Sequence, residues 1–433
     1  MTLPSELHDL IIDQLAVSDP DSGDTLAGST LVDRQIALAS CLMVSHSFRE
    51  RSLLYLFKVL KIKGSALHVI PQVILLIAIL EGESCLNTSS MPPASQFIQE
   101  FHLAPEGVCF KDLESAKLFS TLLRLIWTRM KQGFGPKKFV VSLPRTIWNE
   151  TVPSLKDEMT TLAQSPHLKH LDIKELSLIP PSLIHESHII GLSLTRTRYW
   201  TKETIPLPTD LESIRPPQLT QLECCGFIPE LARPEFSSIC KTLFAKLKSF
   251  RWISLEFQLK NNLKQILLLS ASSLEKLDIN CMFYSELDNI ENLAAMVNLQ
   301  RLRLEIHYVH SGSKLGLENF FNIKTPASKL QNIHFTFKTA FKSLQNRDGS
   351  PFSALFELKD SCQFLDHSLS SLQYPVLREV LVAVKVGYLA NDQRSWSSAE
   401  DIRFSAMEEL CIYFPRLIAC TRIRFIPIVT FHI

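Results

Sequence analysis

One six-residue pattern recurs along the chain: apolar-x-x-apolar-x-apolar, with a polar residue at each x. Strict copies of this pattern begin at Leu168, Leu219, Leu247, Leu274, Leu299 and Leu330. The residue frequencies of the chain predict about one strict copy by chance. Side chains at positions i and i+2 share one face of a β-strand, so each copy predicts a strand that buries one face.

The spacing of the copies predicts how the strands are connected. From residue 219 onward, successive copies start 28, 27, 25 and 31 residues apart. Such a period is typical of units that contain one strand and one helical or irregular return. Helix-like apolar spacing is found between the strands at Glu235–Leu243, Leu263–Leu269 and Ile290–Met296. Parallel stacking of these strands would bury the apolar positions of neighbouring units, which accounts for 67 leucines among 433 residues.

The fold class is therefore predicted to be α/β, with a solenoid of stacked parallel strands over residues 61–433. Looser copies at Ile98, Ile189 and Leu377 extend the series. Within each strand the apolar residues, such as Leu302 and Leu304, are expected to face inward. Their polar neighbours are expected to face outward.

The outward strand residues are the candidate substrate-binding residues. They are His170, Asp172, Gln221, Glu223, Arg251, Lys276, Asp278, Arg301, Arg303, Asn332 and His334. Polar side chains on a half-solvated sheet also occur without any binding role, and this alternative stays open. Parallel stacking is further expected to bring Asp278 close to Arg301 or Arg303 of the next unit.

Residues 1–60 differ from the repeats and predict a small helical module. Leu7, Leu10, Ile11 and Leu15 fall on one helical face, and a second stripe runs from Ile36 to Phe48. A short strand is predicted at Val59–Ile62. Two short helices bury too little apolar surface to be stable alone, so this module needs a neighbour. The neighbour could be a partner protein or the first repeat.

Composition excludes several classes of function. The formal net charge of +1 argues against a dedicated nucleic-acid binder. The segment Ala66–Leu80 is interrupted by polar residues and proline, and its longest apolar run is too short to cross a bilayer. The segment therefore predicts a buried helix and no membrane span. Ten scattered cysteines without a C-x-x-C pair favour an intracellular protein, cytoplasmic or nuclear.

The N-terminal residues carry a family resemblance. The segment LPSELHDLIIDQL, followed by LASCLMVSHSFRERSLLYLFKVLKI, resembles an F-box-like module. The repeated pattern resembles leucine-rich repeats, so the chain as a whole resembles an F-box/leucine-rich-repeat protein. In that family the F-box helices dock on the Skp adaptor of a Skp–cullin–F-box ubiquitin ligase, and the repeats capture a protein substrate.

The resemblance implies a set of adaptor-binding residues. They are Leu3, Pro4, Leu7, Ile11, Ile12, Leu15, Cys41, Val44 and Phe48. The repeats lack the asparagine or cysteine that the family carries three positions after the last strand leucine. Met282, His307 and Leu176 stand there instead, which predicts irregular units.

The resulting hypothesis is a non-enzymatic adaptor without a cofactor, whose F-box-like module spans residues 1–60. One alternative is a leucine-rich-repeat scaffold that binds protein but has no ligase role. A second alternative is a zinc-dependent hydrolase, because His167, His170, His185 and His188 form two H-x-x-H pairs and Glu186 could act as a base. The sequence does not identify the substrate, although the basic residues between Arg301 and Lys342 favour an acidic or phosphorylated ligand.

Overall fold

The computed structural model describes residues 12–13, 31–41, 44, 46–85, 94–106, 110, 112–180, 182–199, 216–226, 237–254, 260–281, 293–307, 317–321, 329–340, 353–387 and 399–432. The chain divides into two compact units, Met1–Ile189 and Ile190–Ile433. Each unit alternates strands with helices, so the predicted α/β class is confirmed.

The first unit contains six helices and four strands in the described residues. Its helices are α1 (Leu31–Cys41), α2 (His46–Leu56), α3 (Ala66–Cys85), α4 (Leu113–Lys131), α5 (Pro153–Ala163) and α6 (Ser182–His185). Its strands are β1 (Val59–Ser65), β2 (Glu100–Glu106), β3 (Lys138–Ile147) and β4 (His170–Ile179). Single turns of 3-10 helix lie at Ala94–Phe97 and Trp148–Glu150.

The four strands of the first unit pair in chain order and are all parallel. Their buried residues line up across the sheet, as Leu103, Val141 and Ile173 show. Two residues earlier in the same strands, the rings of Phe101 and Phe139 stack with their centroids 5.6 Å apart. The predicted strand at Val59–Ile62 is confirmed as the first half of β1.

Helix α3 departs from its prediction. The segment from Ala66 is helical as expected, and α3 packs against β1 and α4. Val69, Val73, Leu76 and Leu80 are buried at helical spacing. The expectation that the whole helix is buried was nevertheless wrong, because α3 has packing partners on one side. The opposite side exposes four large apolar residues, Leu67, Ile74, Leu75 and Ile79.

The second unit repeats the strand-and-helix plan. Its strands are β5 (Gly191–Thr195), β6 (Arg198–Tyr199), β7 (Gln221–Cys225), β8 (Ser249–Ile253), β9 (Lys276–Cys281), β10 (Arg301–His307), β11 (Asn332–Ala340), β12 (Glu379–Gly387) and β13 (Arg424–His432). Its helices are α7 (Ser237–Phe244), α8 (Lys260–Ser270), α9 (Leu317–Phe321), α10 (Ser353–Leu369), α11 (Ala399–Ile412) and α12 (Pro415–Ala419). The third predicted helix, at Ile290–Met296, is represented in the described residues by a 3-10 turn at Leu293–Ala295.

Strands β5 and β7 to β13 form parallel pairs in chain order. The second apolar position of each repeat forms one buried row: Leu222, Phe250, Leu277, Leu302, Ile333 and Val380. The third position forms another: Cys224, Trp252, Ile279, Leu304, Phe335 and Val382. Every member of both rows is at most 3% exposed. All six strict copies of the sequence pattern therefore lead into strands, and Leu302 and Leu304 face inward as predicted.

A buried carboxylate joins helix α10 to helix α12 in the second unit. Asp366 on α10 is 3% exposed and accepts hydrogen bonds from the backbone N–H groups of Arg416 and Leu417, at 3.1 and 2.8 Å. These N–H groups belong to the first turn of α12, where a helix has no internal acceptors for them. Asp366 therefore supplies acceptors that the helix itself lacks.

Replacing Asp366 with alanine is expected to lower the free energy of unfolding by about 2 kcal/mol, because hydrogen bonds to a charged group are lost inside the protein. Urea denaturation monitored by circular dichroism measures the change. Asp360→Ala, at an exposed position of the same helix, serves as the control and should change stability by less than about 0.5 kcal/mol. Equal effects of the two substitutions would contradict a capping role for Asp366.

Candidate functional site

The strands of the second unit carry rows of outward residues between their buried rows. The first row is Gln221, Ser249, Lys276, Arg301, Asn332, Glu379 and Arg424. The second is Glu223, Arg251, Asp278, Arg303 and His334. The third contains Asn280, Glu305 and Thr336, and the fourth His307, Lys338 and Lys385. We call these four rows the polar face.

The predicted substrate-binding residues divide between the two units. Nine of the eleven lie on the first two rows of the polar face, because in-register parallel pairing aligns equivalent repeat positions. The other two, His170 and Asp172, lie on β4 in the first unit. The nine form one continuous surface over β7 to β11.

Arg251 links two carboxylates on the second row. Its Nη1 atom lies 3.2 Å from Glu223 Oε1 on β7, and its Nε atom lies 3.4 Å from Asp278 Oδ2 on β9. Arg303 is directly opposite Asp278 on the next strand, as predicted. Burial raises the pKa of Asp278, and the positive charges of Arg303 and Arg251 offset this only in part. Among the described residues, Asp278 therefore forms its ion pair within 4 Å with Arg251 on the preceding strand. The prediction had placed the partner of Asp278 on the next strand.

Glu305 was expected to face outward, and it does lie on the polar face, yet it is only 6% exposed. It forms ion pairs with Arg303 at 3.3 Å and with Lys338, and its Oε1 atom lies 3.4 Å from Nε2 of His307, whose pKa is lowered by burial and by the charge of Lys338. Burial alone would raise the pKa of Glu305, but the hydrogen bond and charge of Lys338, with Arg303 and His307, hold that pKa below its usual value. The side chain is therefore a carboxylate at neutral pH.

Sequence reasoning did not select Glu305, His307 or Lys338 as site residues. The signal was present, since Glu305 and His307 continue the period-two alternation of Arg301 and Arg303 along one strand. The repeat pattern ends at its third apolar residue, Leu304, so it gives no reason to extend the strand as far as His307. The structure shows that β10 continues to His307.

Lys276 and Arg301 are like charges placed directly opposite each other on β9 and β10. Both are exposed, and in the described part of the chain neither has an acidic group within 4 Å. Like charges that face each other across a strand pair destabilise the sheet. Among the described residues, these two cations therefore lie side by side on the surface without an ion-pair partner.

The candidates of the first unit form a smaller polar cluster. Lys174 pairs with Asp172 Oδ2 at 3.3 Å, while Asp172 Oδ1 is buried without a hydrogen-bond partner in the described residues. Burial and the charge of Lys138 lower the pKa of His170. Lys138 itself pairs with Glu100 at 3.4 Å.

The predicted adaptor-binding residues are only partly described. Leu3, Pro4, Leu7, Ile11 and Leu15 lie outside the described residues. Ile12 is fully buried, Cys41 and Phe48 are half-buried, and Val44 is 66% exposed. Arg51 on α2 donates two hydrogen bonds of 2.9 Å to Asp13, and the Tyr55 hydroxyl donates a third of 2.8 Å. These bonds fix the segment that contains Ile12 and Asp13 to α2.

The histidines of the zinc hypothesis do not form a metal site in the part of the chain that the structure describes. His167 and His188 are exposed, and Glu186 accepts a hydrogen bond from the Gln164 side chain at 2.9 Å. The side chain of His185 is not among those that the structure describes. Within the described ranges, no three histidine, cysteine, aspartate or glutamate side chains are grouped so that they could hold a metal ion.

No helix among the described residues is both long and apolar enough to cross a membrane. No protein-family model and no curated protein matches the sequence.

Proposed function

We propose that this chain is a non-enzymatic substrate receptor of a Skp–cullin–F-box ubiquitin ligase, built as an F-box-like module followed by an irregular leucine-rich-repeat solenoid. Residues 1–60 would bind the Skp adaptor, and the polar face would bind the protein substrate. The observation that carries the proposal is the in-register alignment of repeat positions over β7 to β11. This alignment produces a broad charged surface, which suits protein recognition.

Strand order supports the repeat assignment. In each unit the parallel neighbours follow one another along the chain, as expected when each repeat contacts only the preceding and following repeats. The returns vary from the regular α8 to a single 3-10 turn at Leu293–Ala295. Such variation agrees with the irregular units expected from the missing asparagine and cysteine positions.

Exposed aliphatic residues support a docking role for the N-terminal helices. Ile36 on α1 is 59% exposed, and Val44, just after α1, is 66% exposed. A protein that docked on these helices would remove both side chains from water, which is favourable. Ile12 is buried instead, so it would support the module from inside and would not contact the adaptor directly.

Val44→Asp is expected to weaken binding of a purified Skp-type adaptor at least about tenfold, since the interface would have to bury a carboxylate without a partner. Isothermal titration calorimetry with the full chain measures the affinity. Because Val44 is exposed, the variant should fold normally. Leu372→Asp, at an 86% exposed position of the second unit, is the matched control and should bind like the unmodified chain.

A second variant tests the predicted apolar stripe that contains Leu7 and Ile11, which lies outside the described residues. Leu7→Asp combined with Ile11→Asp should abolish adaptor binding in a chain that still folds.

If the unmodified chain folds but fails to bind the adaptor at micromolar concentration, the ligase role is overturned and a protein-binding scaffold is favoured. Stoichiometric zinc that is lost on substitution of His170 and His188 by alanine would replace both roles with the metal hypothesis.

A further inference from the structure

The charges on the polar face are unequal and lie mainly on its central strands. Its cations are Arg251, Lys276, Arg301, Arg303, Lys338, Lys385 and Arg424, and its anions are Glu223, Asp278, Glu305 and Glu379. The whole chain carries a net charge of only +1. The second unit therefore concentrates positive charge on this one surface.

Each of the four acidic groups already contacts a basic residue. Arg251 pairs with Glu223 and with Asp278. Glu305 is enclosed by three basic side chains, and Glu379 contacts His334 at 3.3 Å and Arg424 at 4.0 Å. These internal pairs leave Lys276 and Arg301 without a counter-charge in the described region.

The spacing of the central cations defines what they can bind. Lys276 and Arg301 are register partners on neighbouring strands, which lie about 4.8 Å apart in a sheet. Arg303 follows two residues along β10, about 6.6 Å away, and its side chain is 48% exposed although it pairs with Glu305. An extended peptide places its alternate side chains at the same spacing of about 6.6 Å.

We infer that the polar face recognises an acidic protein segment, and that an extended peptide lying along β10 places one anionic side chain between Lys276 and Arg301 and the next alternate one at Arg303. This inference rests on the proposed function and specifies the class of substrate. The bound anions would relieve the repulsion between Lys276 and Arg301, and each arginine can hold a carboxylate through two parallel N–H bonds. The interspersed carboxylates of Asp278 and Glu305 disfavour a continuous run of phosphodiesters, so a nucleic acid is the poorer fit.

The test uses the full chain and a fluorescein-labelled twelve-residue peptide with glutamate at every second position. Fluorescence anisotropy at low and moderate salt should show binding that weakens as salt screens the charges. The same peptide with glutamine in place of glutamate should bind at least about tenfold more weakly. A phosphoserine version that binds the same surface more tightly than the glutamate peptide would identify phosphate as the preferred source of the negative charge.

Lys276→Glu combined with Arg301→Glu should weaken binding of the acidic peptide at least about tenfold. The matched control is Lys241→Glu combined with Lys246→Glu, which makes the same change in net charge at exposed positions in and after α7. The control should lose less than about threefold. A Lys276→Gln, Arg301→Gln variant, checked by thermal melting, guards against loss of folding.

Three results would overturn the inference: no binding of the acidic peptide, equal losses in the two charge-reversal variants, or preferential binding of an oligouridylate. None of these measurements involves the N-terminal module. Failure here with adaptor binding retained would remove only acid recognition. Failure of adaptor binding with peptide binding retained would remove only the ligase role.

Discussion

Replacing Phe335 with alanine is expected to lower the free energy of unfolding of the second unit by about 3–5 kcal/mol, the largest effect anticipated for a single substitution in this protein. Phe335 is fully buried in the centre of β11. Its ring centroid lies 5.6 Å from that of Phe321 and 6.1 Å from that of Phe337. Strands β10 and β12 hold the backbone on both sides, so the cavity left by the missing ring can close only slightly.

Urea denaturation monitored by circular dichroism measures this loss. Phe404→Ala makes the same chemical change on α11, where the side chain is 65% exposed, and should alter stability by less than about 0.5 kcal/mol. Comparable effects at the two positions would mean that the inward rows of the sheet are not the core of the second unit.

Replacing Glu305 with glutamine is expected to destabilise the second unit by about 2 kcal/mol at neutral pH, because the bonds that a buried carboxylate makes to charged donors are stronger than those of an amide. Glutamine has nearly the same volume, so the change removes charge without creating a cavity. It would also leave Arg303 and Lys338 close together without their shared counter-charge.

The contribution of Glu305 should depend on pH in a defined direction. Its pKa in the folded protein is lower than the ordinary value of 4.5, mainly because Lys338 and Arg303 outweigh the effect of burial. The unfolded chain therefore takes up the proton first as the pH falls. The stabilisation is fully present above about pH 4.5 and is lost as the pH falls through the folded pKa.

The stability difference between the unmodified chain and Glu305→Gln, measured by urea denaturation at several pH values, isolates this effect from other titrating groups. The difference should be constant from pH 7 to about pH 5 and should decrease at lower pH. Glu408→Gln, at an exposed position of α11, is the control and should show little difference at any pH. A difference that grows as the pH falls would contradict the assigned pKa direction.

The strand positions could be predicted because a period of two is a local property of the sequence. The pattern at Leu274 and at Leu299 places β9 and β10 correctly, and the outward positions of Lys276 and Arg301 follow from the same alternation. The period of the repeats also predicted parallel pairing, since a connection of that length suits a crossover between parallel strands.

Other features of the site depend on contacts that no local pattern contains. Glu305 has the same alternation as Arg303, yet Glu305 is buried because Lys338 from the next strand and His307 close over it. Helix α3 was predicted from its apolar residues to be a buried helix, but only the side that meets β1 and α4 is covered. Neighbours distant along the chain decide burial in both cases.

The sequence by itself determined where the strands that carry the repeated pattern begin and which of their side chains share a face, because backbone geometry repeats every two residues whatever lies next to the strand. Only the tertiary structure decided which charges neutralise one another. The register of β9, β10 and β11 brings Lys338 to Glu305 and places Lys276 opposite Arg301. Electrostatic pairing acts over a few ångströms in space, and those distances are set when the repeats stack.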